Sequence, residues 1–454
     1  MKHRAPRRSV LMAASVASMI LQFNRENLIL LQELGYEVHV ACNFKEGNTC
    51  SSGQIQTLLQ FFRERGMIWH QWDCPRSIRP FGNCLKAFSQ IRRLLRRYPF
   101  AFMHCHSPIG GVLARIAAHE AKVPVIYTAH GFHFYQGAPL RNWLLYYPAE
   151  KWLSRWTDVL VTVNREDAML AKRYFHAGKV CRIPGIGIDL ENYQRTGAAD
   201  GISEKEVLCK CGEQRLELRG KDQAFCSKLR IPEDAIVLLS VGELNKGKNH
   251  RMVIDALPAM ADRDVYYLIC GQGELREELL RYADSLGVRE RVRMPGFVED
   301  LRWIYWNADI FVFPSFREGM PVALMEAMAA GLPCVASEIR GCRELLNQNS
   351  RCRKTSMGMF MGMSMGTSLD TPIGTSLGKS RQQALCQVPG GFRFSLKQPE
   401  QLLQALKMLA DQKSLRQACG TYNERRIKNF GRDRVQKKMK EIYTGMAVTG
   451  HGGR

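Results

Sequence analysis

Residues 313–337 read FPSFREGMPVALMEAMAAGLPCVAS. The apolar run 310–313 reads as a short buried strand that Phe313 closes. A loop follows. The pattern then predicts a helix from about Met320, with Pro321 in its first turn, where a missing N–H is no loss. Gly331 and Pro333 end that helix, and a second apolar run, 334–336, reads as the next strand. Strand, loop, helix, strand is the unit of a doubly wound parallel sheet. The loop Arg317 to Gly319 then lies at a helix N-terminus, a natural phosphate site. Glu318 stands just before the helix and Glu326 inside it; from Met320 to Glu326 the axis rises ~9 Å. Carboxylates so spaced accept hydrogen bonds from hydroxyls at the two ends of an extended ligand.

Working outward, the same alternation fills the chain. Runs 9–14, 36–42, 100–105, 123–129 and 159–163 read as strands, with helices expected up to Leu34, over 109–119 and over 140–156. The pattern restarts after residue 230, with strands at 236–241, 266–270, 291–294, 310–313 and 334–336. Two Rossmann-like α/β domains, with ligand in the cleft they share, are the simplest account. The expected division is 1–200 for the first Rossmann-like domain, 201–228 for an irregular linker, and 229–430 for the second Rossmann-like domain. Residues 431–454 are expected to be a C-terminal helix and tail packing back on the first domain. Lys2, Arg4, Arg7 and Arg8 before the apolar stretch 10–23 resemble a signal peptide, but the helical pattern continuing past Phe23 favours a first strand and turn. Residues 351–388 are low-complexity: five methionines alternate from Met357 to Met365 and Gly-Thr-Ser-Leu occurs twice, which reads as an inserted loop. The stretch 425–440 carries eight basic residues and one acid and reads as a solvated helix.

The chain has 454 residues, 65 Lys plus Arg against 43 Asp plus Glu, and a net charge of +22. So basic a protein meets something anionic: nucleic acid, a phosphate-bearing ligand or an acidic membrane. Its apolar and charged fractions, 45% and 24%, exclude a disordered or fibrous chain. No uncharged apolar run reaches the roughly 18 residues of a membrane span. The 15 cysteines are scattered, which argues for free thiols in a reducing compartment. Cys209, Cys211 and Cys226 lack the spacing and fourth ligand of a zinc site.

A pair of glutamates alone marks little, but the whole package from Phe313 to Ser337 resembles the Glu-x7-Glu signature of retaining glycosyltransferases of family 4, which have the GT-B fold: two Rossmann-like doubly wound domains. The resemblance spans nearly the full chain outside the two irregular segments. In VGELNKGKNH (241–250), Lys248 falls on the family's lysine for the donor diphosphate; Glu243 stands where an arginine is usual, so Lys246 or Arg317 would supply that charge. In TAHGFHF (128–134), His130 matches the histidine at the donor sugar, whereas His133 reads as structural. Ser15 and Ser18 replace glycines of the first strand–helix loop, on the acceptor side. His104, Cys105 and His106 look like metal ligands, but alternating side chains point to opposite faces of a strand. RMPGF (293–297) resembles the turn beside the donor base, with Phe297 at its end.

The resemblance implies a hexosyltransferase that moves a hexose or N-acetylhexosamine from a nucleotide diphosphate sugar, UDP ahead of GDP, with retention. The implied acceptor is a saccharide or lipid-linked saccharide, in capsule or exopolysaccharide assembly. It implies no metal and no cofactor beyond the nucleotide-sugar substrate. His130, Glu318 and Lys248 are the implied catalytic set. Gly319, Met320 and Pro321 contact the donor, Glu318 holds sugar hydroxyls and Glu326 holds the ribose. Residues 51–100 carry nine basic residues and two acids, and IRRLLRRY (91–98) is amphipathic. That suits a cytoplasmic protein, peripheral at the inner face of an anionic membrane, equally with a solvated helix. Other classes stay open: a nucleotide-sugar 2-epimerase, whose motifs differ around Glu318; a catalytically silent GT-B scaffold; and a basic nucleic-acid-binding protein, although no nucleic-acid recognition motif is present.

Overall fold

In the computed structural model, residues 8–77, 81–106, 108–135, 137–193, 221–346, 353–354 and 385–449 are described. The first sheet is all parallel. Its strands are β1 (Ser9–Val16), β2 (Glu37–Asn43), β3 (Ile68–Gln71), β4 (Phe100–His106), β5 (Val125–Ala129), β6 (Val159–Thr162) and β7 (Lys179–Arg182), in the order β3-β2-β1-β4-β5-β6-β7. All eight residues of β1 are buried, as a strand covered on both faces requires. The helices between are α1 (Ala17–Phe23), α2 (Arg25–Glu33), α3 (Ser52–Glu64), α4 (Phe81–Arg97), α5 (Ile109–Ala121), α6 (Leu140–Leu153) and α7 (Arg165–Tyr174). α4, α5 and α6 share one apolar layer with Trp72 and Tyr127, and α1, α2 and α3 share the other with Val38 and Val40.

The helix expected to run unbroken to Leu34 is broken at Asn24. The Asn24 Nδ2 donates to Met19 O at 3.2 Å, and Asn27 Nδ2 donates to the Asn24 Oδ1 at 3.1 Å. An asparagine amide competes with the helical ladder in just this way.

The second sheet repeats the winding. After α8 (Gln223–Leu229) come β8 (Ile236–Val241), α9 (Arg251–Ala256), β9 (Val265–Cys270), α10 (Arg276–Ser285), β10 (Val292–Gly296), α11 (Arg302–Asn307), β11 (Ile310–Phe313), α12 (Val322–Ala329), β12 (Cys334–Ser337) and α13 (Arg340–Leu346). The short strands β13 (Arg353–Lys354) and β14 (Cys386–Val388) lead to β15 (Gly391–Phe394), then α14 (Pro399–Asp411) and α15 (Lys413–Ile427). The order is β10-β9-β8-β11-β12-β15-β14-β13, antiparallel only beyond β15. Within the stretch 201–228, the chain is helical from Gln223, capped by Asp222, whose Oδ1 accepts from Ala224 N at 2.7 Å. Residues 201–220, with Cys209 and Cys211, and most of the low-complexity stretch, with its methionines, lie outside the described residues.

Two compact units result: the described residues of Met1–Leu190, Glu318–Val322 and Asn429–Arg454, and those of Glu191–Arg317 and Ala323–Lys428. The single helix expected over 425–440 is two. α15 ends at Ile427, and α16 (Arg432–Thr449) starts afresh in the first unit. Ile188 causes the break: its N–H donates to Phe430 O at 3.1 Å and its carbonyl accepts from Arg432 N at 2.9 Å, removing those groups from a helical ladder. α16 buries Val435, Met439, Ile442, Tyr443 and Met446 in the first unit's core. Eleven described cysteines are free thiols, mostly buried, and Cys386 is disulfide-bonded. Among the described residues no helix is long and apolar enough to cross a membrane.

Candidate active site

In each sheet the winding reverses beside the first strand, between β1 and β4 and between β8 and β11. Ligands of such sheets bind outside the carboxyl ends of those strands. The candidate residues lie there.

In the second unit, the turn after β8 is built around Gly242. Its φ of +156° suits glycine, and a Cβ there would lie 3.1 Å from Lys248 Cε, so the lysine lies along bare backbone. The Lys248 ammonium sits 5.2 Å from the Phe313 ring centroid. Asn245 Oδ1 accepts from Lys248 N at 3.1 Å, Phe316 N donates to Gly247 O at 2.9 Å, and Asn249 Nδ2 donates to Pro314 O at 3.3 Å. These bonds tie the β8 turn to the loop after β11. Glu243, Lys246 and Arg317 are exposed, as is Phe297, just past β10.

α12 begins at Val322, two residues later than the expected start at Met320. Pro321 explains it: the ring of a proline disfavours helical geometry in the residue before it. Glu326 lies on the second turn. Its two oxygens each accept one phenol: Tyr193 OH at 2.8 Å on Oε1 and Tyr305 OH at 2.8 Å on Oε2. Tyr305, on α11, is wholly buried; Tyr193 packs on its ring, and the Tyr193 carbonyl accepts from Trp306 Nε1 at 2.9 Å. Burial raises the Glu326 pKa and the two phenols oppose the rise. A carboxylate has about four lone-pair sites, so this bracing leaves acceptor capacity on both oxygens. Sequence reading missed both tyrosines; Tyr193 is 133 residues away along the chain and no local pattern links it to Glu326.

In the first unit, His130 follows β5 and His106 ends β4, with His106 Nδ1 3.1 Å from His130 Nε2. The other His106 nitrogen, Nε2, is 3.1 Å from Met12 Sδ. A thioether only accepts, so His106 Nε2 carries the proton. Burial holds the His106 pKa well below the usual value, so the ring is neutral and its Nδ1 is bare. It therefore accepts from His130 Nε2–H. Burial also lowers His130, to about 4, so this ring too is neutral. Tautomer is fixed through one neighbour. His104 lies behind, 2.9 Å from Tyr443 OH and 2.8 Å from Thr128 Oγ1, with its pKa pushed down to about 3 by burial. His104 and His106 share a face, ring centroids 4.4 Å apart. No group of three His, Cys, Asp or Glu among the described residues could hold a metal ion. His133 stacks on Tyr146 at 4.5 Å.

Ser15 and Ser18 are buried. The Ser15 Oγ accepts from Gly110 N at 3.0 Å, and Ser18 Oγ accepts from Thr49 N at 3.4 Å. Both hydroxyls hold neighbouring loops. Glu318–Val322 groups with this unit: the Gly319 carbonyl accepts from Asn164 Nδ2 at 3.2 Å, and Met320 packs against the core. A Cβ on Gly319 would strike the His130 carbonyl oxygen, so only glycine fits. Glu318 and Met320 are half-buried and Pro321 is buried.

Two parallel-dominated α/β sheets wound in this way are those of the GT-B fold. Residues 26–185 match the family described as "Glycosyl transferase 4-like domain", and residues 222–354 match "Glycosyl transferases group 1". The putative glycosyltransferase EpsD of Bacillus subtilis (strain 168) is 33% identical over 346 residues, 75% of this chain and 81% of that protein. The Escherichia coli UDP-Gal:alpha-D-GlcNAc-diphosphoundecaprenol alpha-1,3-galactosyltransferase is 29% identical over 265 residues, 57% of this chain and 62% of that protein. Among solved structures, Anabaena Alr3699/HepE in complex with UDP and glucose has the same fold, with a TM-score of 0.68 over 97% of this chain and all of that one, at 13% identity. The chain belongs to the family-4-like glycosyltransferases and is an enzyme of that class.

Proposed function

We propose that this enzyme transfers a hexose or N-acetylhexosamine from a UDP-sugar to a saccharide or lipid-linked saccharide, with retention, in the synthesis of a bacterial polysaccharide. Glu326 carries the reading. A carboxylate braced by two phenols, with acceptor capacity on each oxygen, suits the vicinal diol of a ribose. The names of the relatives support the donor and acceptor: the Escherichia coli enzyme is described with a UDP-sugar and a diphosphoundecaprenol saccharide, and HepE was crystallised with UDP.

In this mechanism the bond between the anomeric carbon and the phosphate oxygen breaks, with its electron pair leaving on the diphosphate. Lys248, extended along Gly242, meets that charge. Lys246 or Arg317 adds the charge that Glu243 does not. Backbone at Gly319 and Met320 adds dipoles, and Pro321 shapes that approach. Glu318 and His130 hold sugar hydroxyls. The acceptor oxygen attacks from the face the phosphate leaves, and its proton passes to the departing phosphate oxygen. No metal or other cofactor is required by this scheme. The turn ending at Phe297 borders the base. The enzyme works from the cytoplasmic side of an anionic membrane, facing it with the basic α4, where Lys86, Arg92, Arg93, Arg96 and Arg97 lie.

A thermal-shift panel with UDP, GDP, ADP and CMP tests the donor. A nucleotide at ~100 times its Kd adds ~2.7 kcal/mol of stability. A shift with UDP that Glu326→Ala abolishes supports the reading. A folded sample that responds to none of the four overturns it.

A further inference from the structure

α6 is inside out. The side it turns to the core carries Trp143, Tyr146 and Tyr147, and Glu150, whose Oε2 accepts from the buried Arg115 guanidinium at 2.8 Å and whose Oε1 accepts from Tyr127 OH at 2.7 Å. The opposite side is apolar and exposed. Leu140, Leu144, Leu145 and Trp152 are 73%, 70%, 58% and 49% exposed, and Pro148 and Ala149 complete the same stripe. Recurrence every three or four residues puts them on one face, and twelve residues span ~18 Å. A surface helix ordinarily does the reverse. The helix cannot roll to hide its leucines, because rolling would strip Glu150 from a guanidinium that is 1% exposed.

The charges around the stripe indicate what covers it. Arg141 lies on it and Arg155 just beyond its end, both exposed. The acid of this helix, Glu150, points inward. A second copy of the chain packed on the same stripe by a two-fold axis would bring Arg141 of one copy towards Arg155 of the other, like charge against like. A lipid surface has no such conflict. Leucines insert to the acyl boundary, a tryptophan suits the headgroup level, and arginines reach lipid phosphates. α4, whose apolar side lies in the same core layer, also exposes Phe81 (66%) and Leu85 (60%) among its basic residues.

We propose that α6 is a lipid-inserting element: its Leu140–Leu144–Leu145–Trp152 stripe enters an anionic bilayer surface, and Arg141 and Arg155 pair with lipid phosphates. The proposal deepens the reading of a membrane-side transferase, and it stands on the exposed stripe and the two arginines beside it.

The test is flotation of the full-length protein with vesicles of phosphatidylcholine alone and of equal parts phosphatidylcholine and phosphatidylglycerol. The mixed vesicles should bind more protein. Leu144→Ser with Leu145→Ser should lower that binding at least tenfold, since each leucine contributes through its buried area. Both side chains are exposed, so the fold is kept, and an unchanged melting temperature and UDP response in the double variant check this. Vesicles with brominated acyl chains should quench tryptophan emission in the wild type, and less in Trp152→Phe. Binding that the double variant retains overturns the proposal, as does a wild-type dimer that the double variant dissociates without losing vesicle binding. Vesicle binding without a UDP response would sink the donor reading and keep this one; a UDP response without vesicle binding would do the opposite.

Discussion

Replacing Glu150 by alanine removes the partner of a guanidinium that has almost no access to water. Arg115 is 1% exposed and keeps two other contacts: its Nε donates to Gly111 O at 2.9 Å, and its guanidinium stacks 3.7 Å from the Tyr127 ring centroid. The substitution also orphans the Tyr127 hydroxyl, which burial and the neighbouring Glu150 hold well above its usual pKa. Breaking one side of a buried pair costs ~3–5 kcal/mol because the other charge is stranded. That is about a fifth or more of the stability of an ordinary domain. Urea melts followed by tryptophan emission suit the measurement, since Trp69, Trp72, Trp143, Trp152 and Trp156 lie in the first unit. At a slope of ~2–3 kcal/mol per molar, the midpoint of that unit should fall by ~1–2 M. The double variant Arg115→Met/Glu150→Leu removes both charges and should lose much less than Glu150→Ala, retaining only the cost of the Tyr127 hydroxyl. A loss below ~1 kcal/mol in Glu150→Ala, or additive losses in the cycle, would refute the claim that this pair fixes α6.

Buried histidines set an acid limit. His104 is pushed down to about 3 and His250 to about 4, both by burial, so the unfolded chain takes up protons near the ordinary histidine value that the folded chain refuses. Stability from each is intact above pH ~6.5 and falls with pH below it by ~1.4 kcal/mol per unit until the folded pKa is reached. A urea midpoint measured from pH 7 to 4 should fall steeply, and less so in His104→Gln. Glu326 has the opposite sign: its raised pKa gives a contribution present below the ordinary glutamate value and lost as pH rises through the folded one. Glu326→Gln should therefore be at least as stable as wild type at pH 7 without ligand, while its UDP affinity, read by calorimetry, drops ~10-fold or more. His106→Leu removes the acceptor that orients His130, so affinity for a UDP-sugar should fall ~3–10-fold while affinity for UDP alone is unchanged. Equal losses for both ligands would assign His106 a merely structural role.

Some of this molecule is written in short stretches of chain. The strands 236–241 and 310–313 are apolar runs bounded by turn residues, and they fold where the pattern puts them. The order strand–loop–helix–strand around Glu318 and Glu326 was equally legible, because each signal there depends on residues a few places apart. The errors were local too: Pro321 delays α12, and Asn24 splits the first helix. What the sequence by itself determined was the repeated strand–helix alternation of two α/β units and the loops that follow their strands. Tertiary structure alone decided the rest. It chose Tyr193 and Tyr305 to brace Glu326, placed Met12 against His106 from 94 residues away, and returned α16 to put Tyr443 beside His104. It also turned the leucines of α6 outward, because Glu150 had to meet Arg115. Periodicity and capping are set by neighbours in the chain, whereas a hydrogen-bond partner or a buried counter-charge is chosen by strand order and packing, which no window of sequence contains.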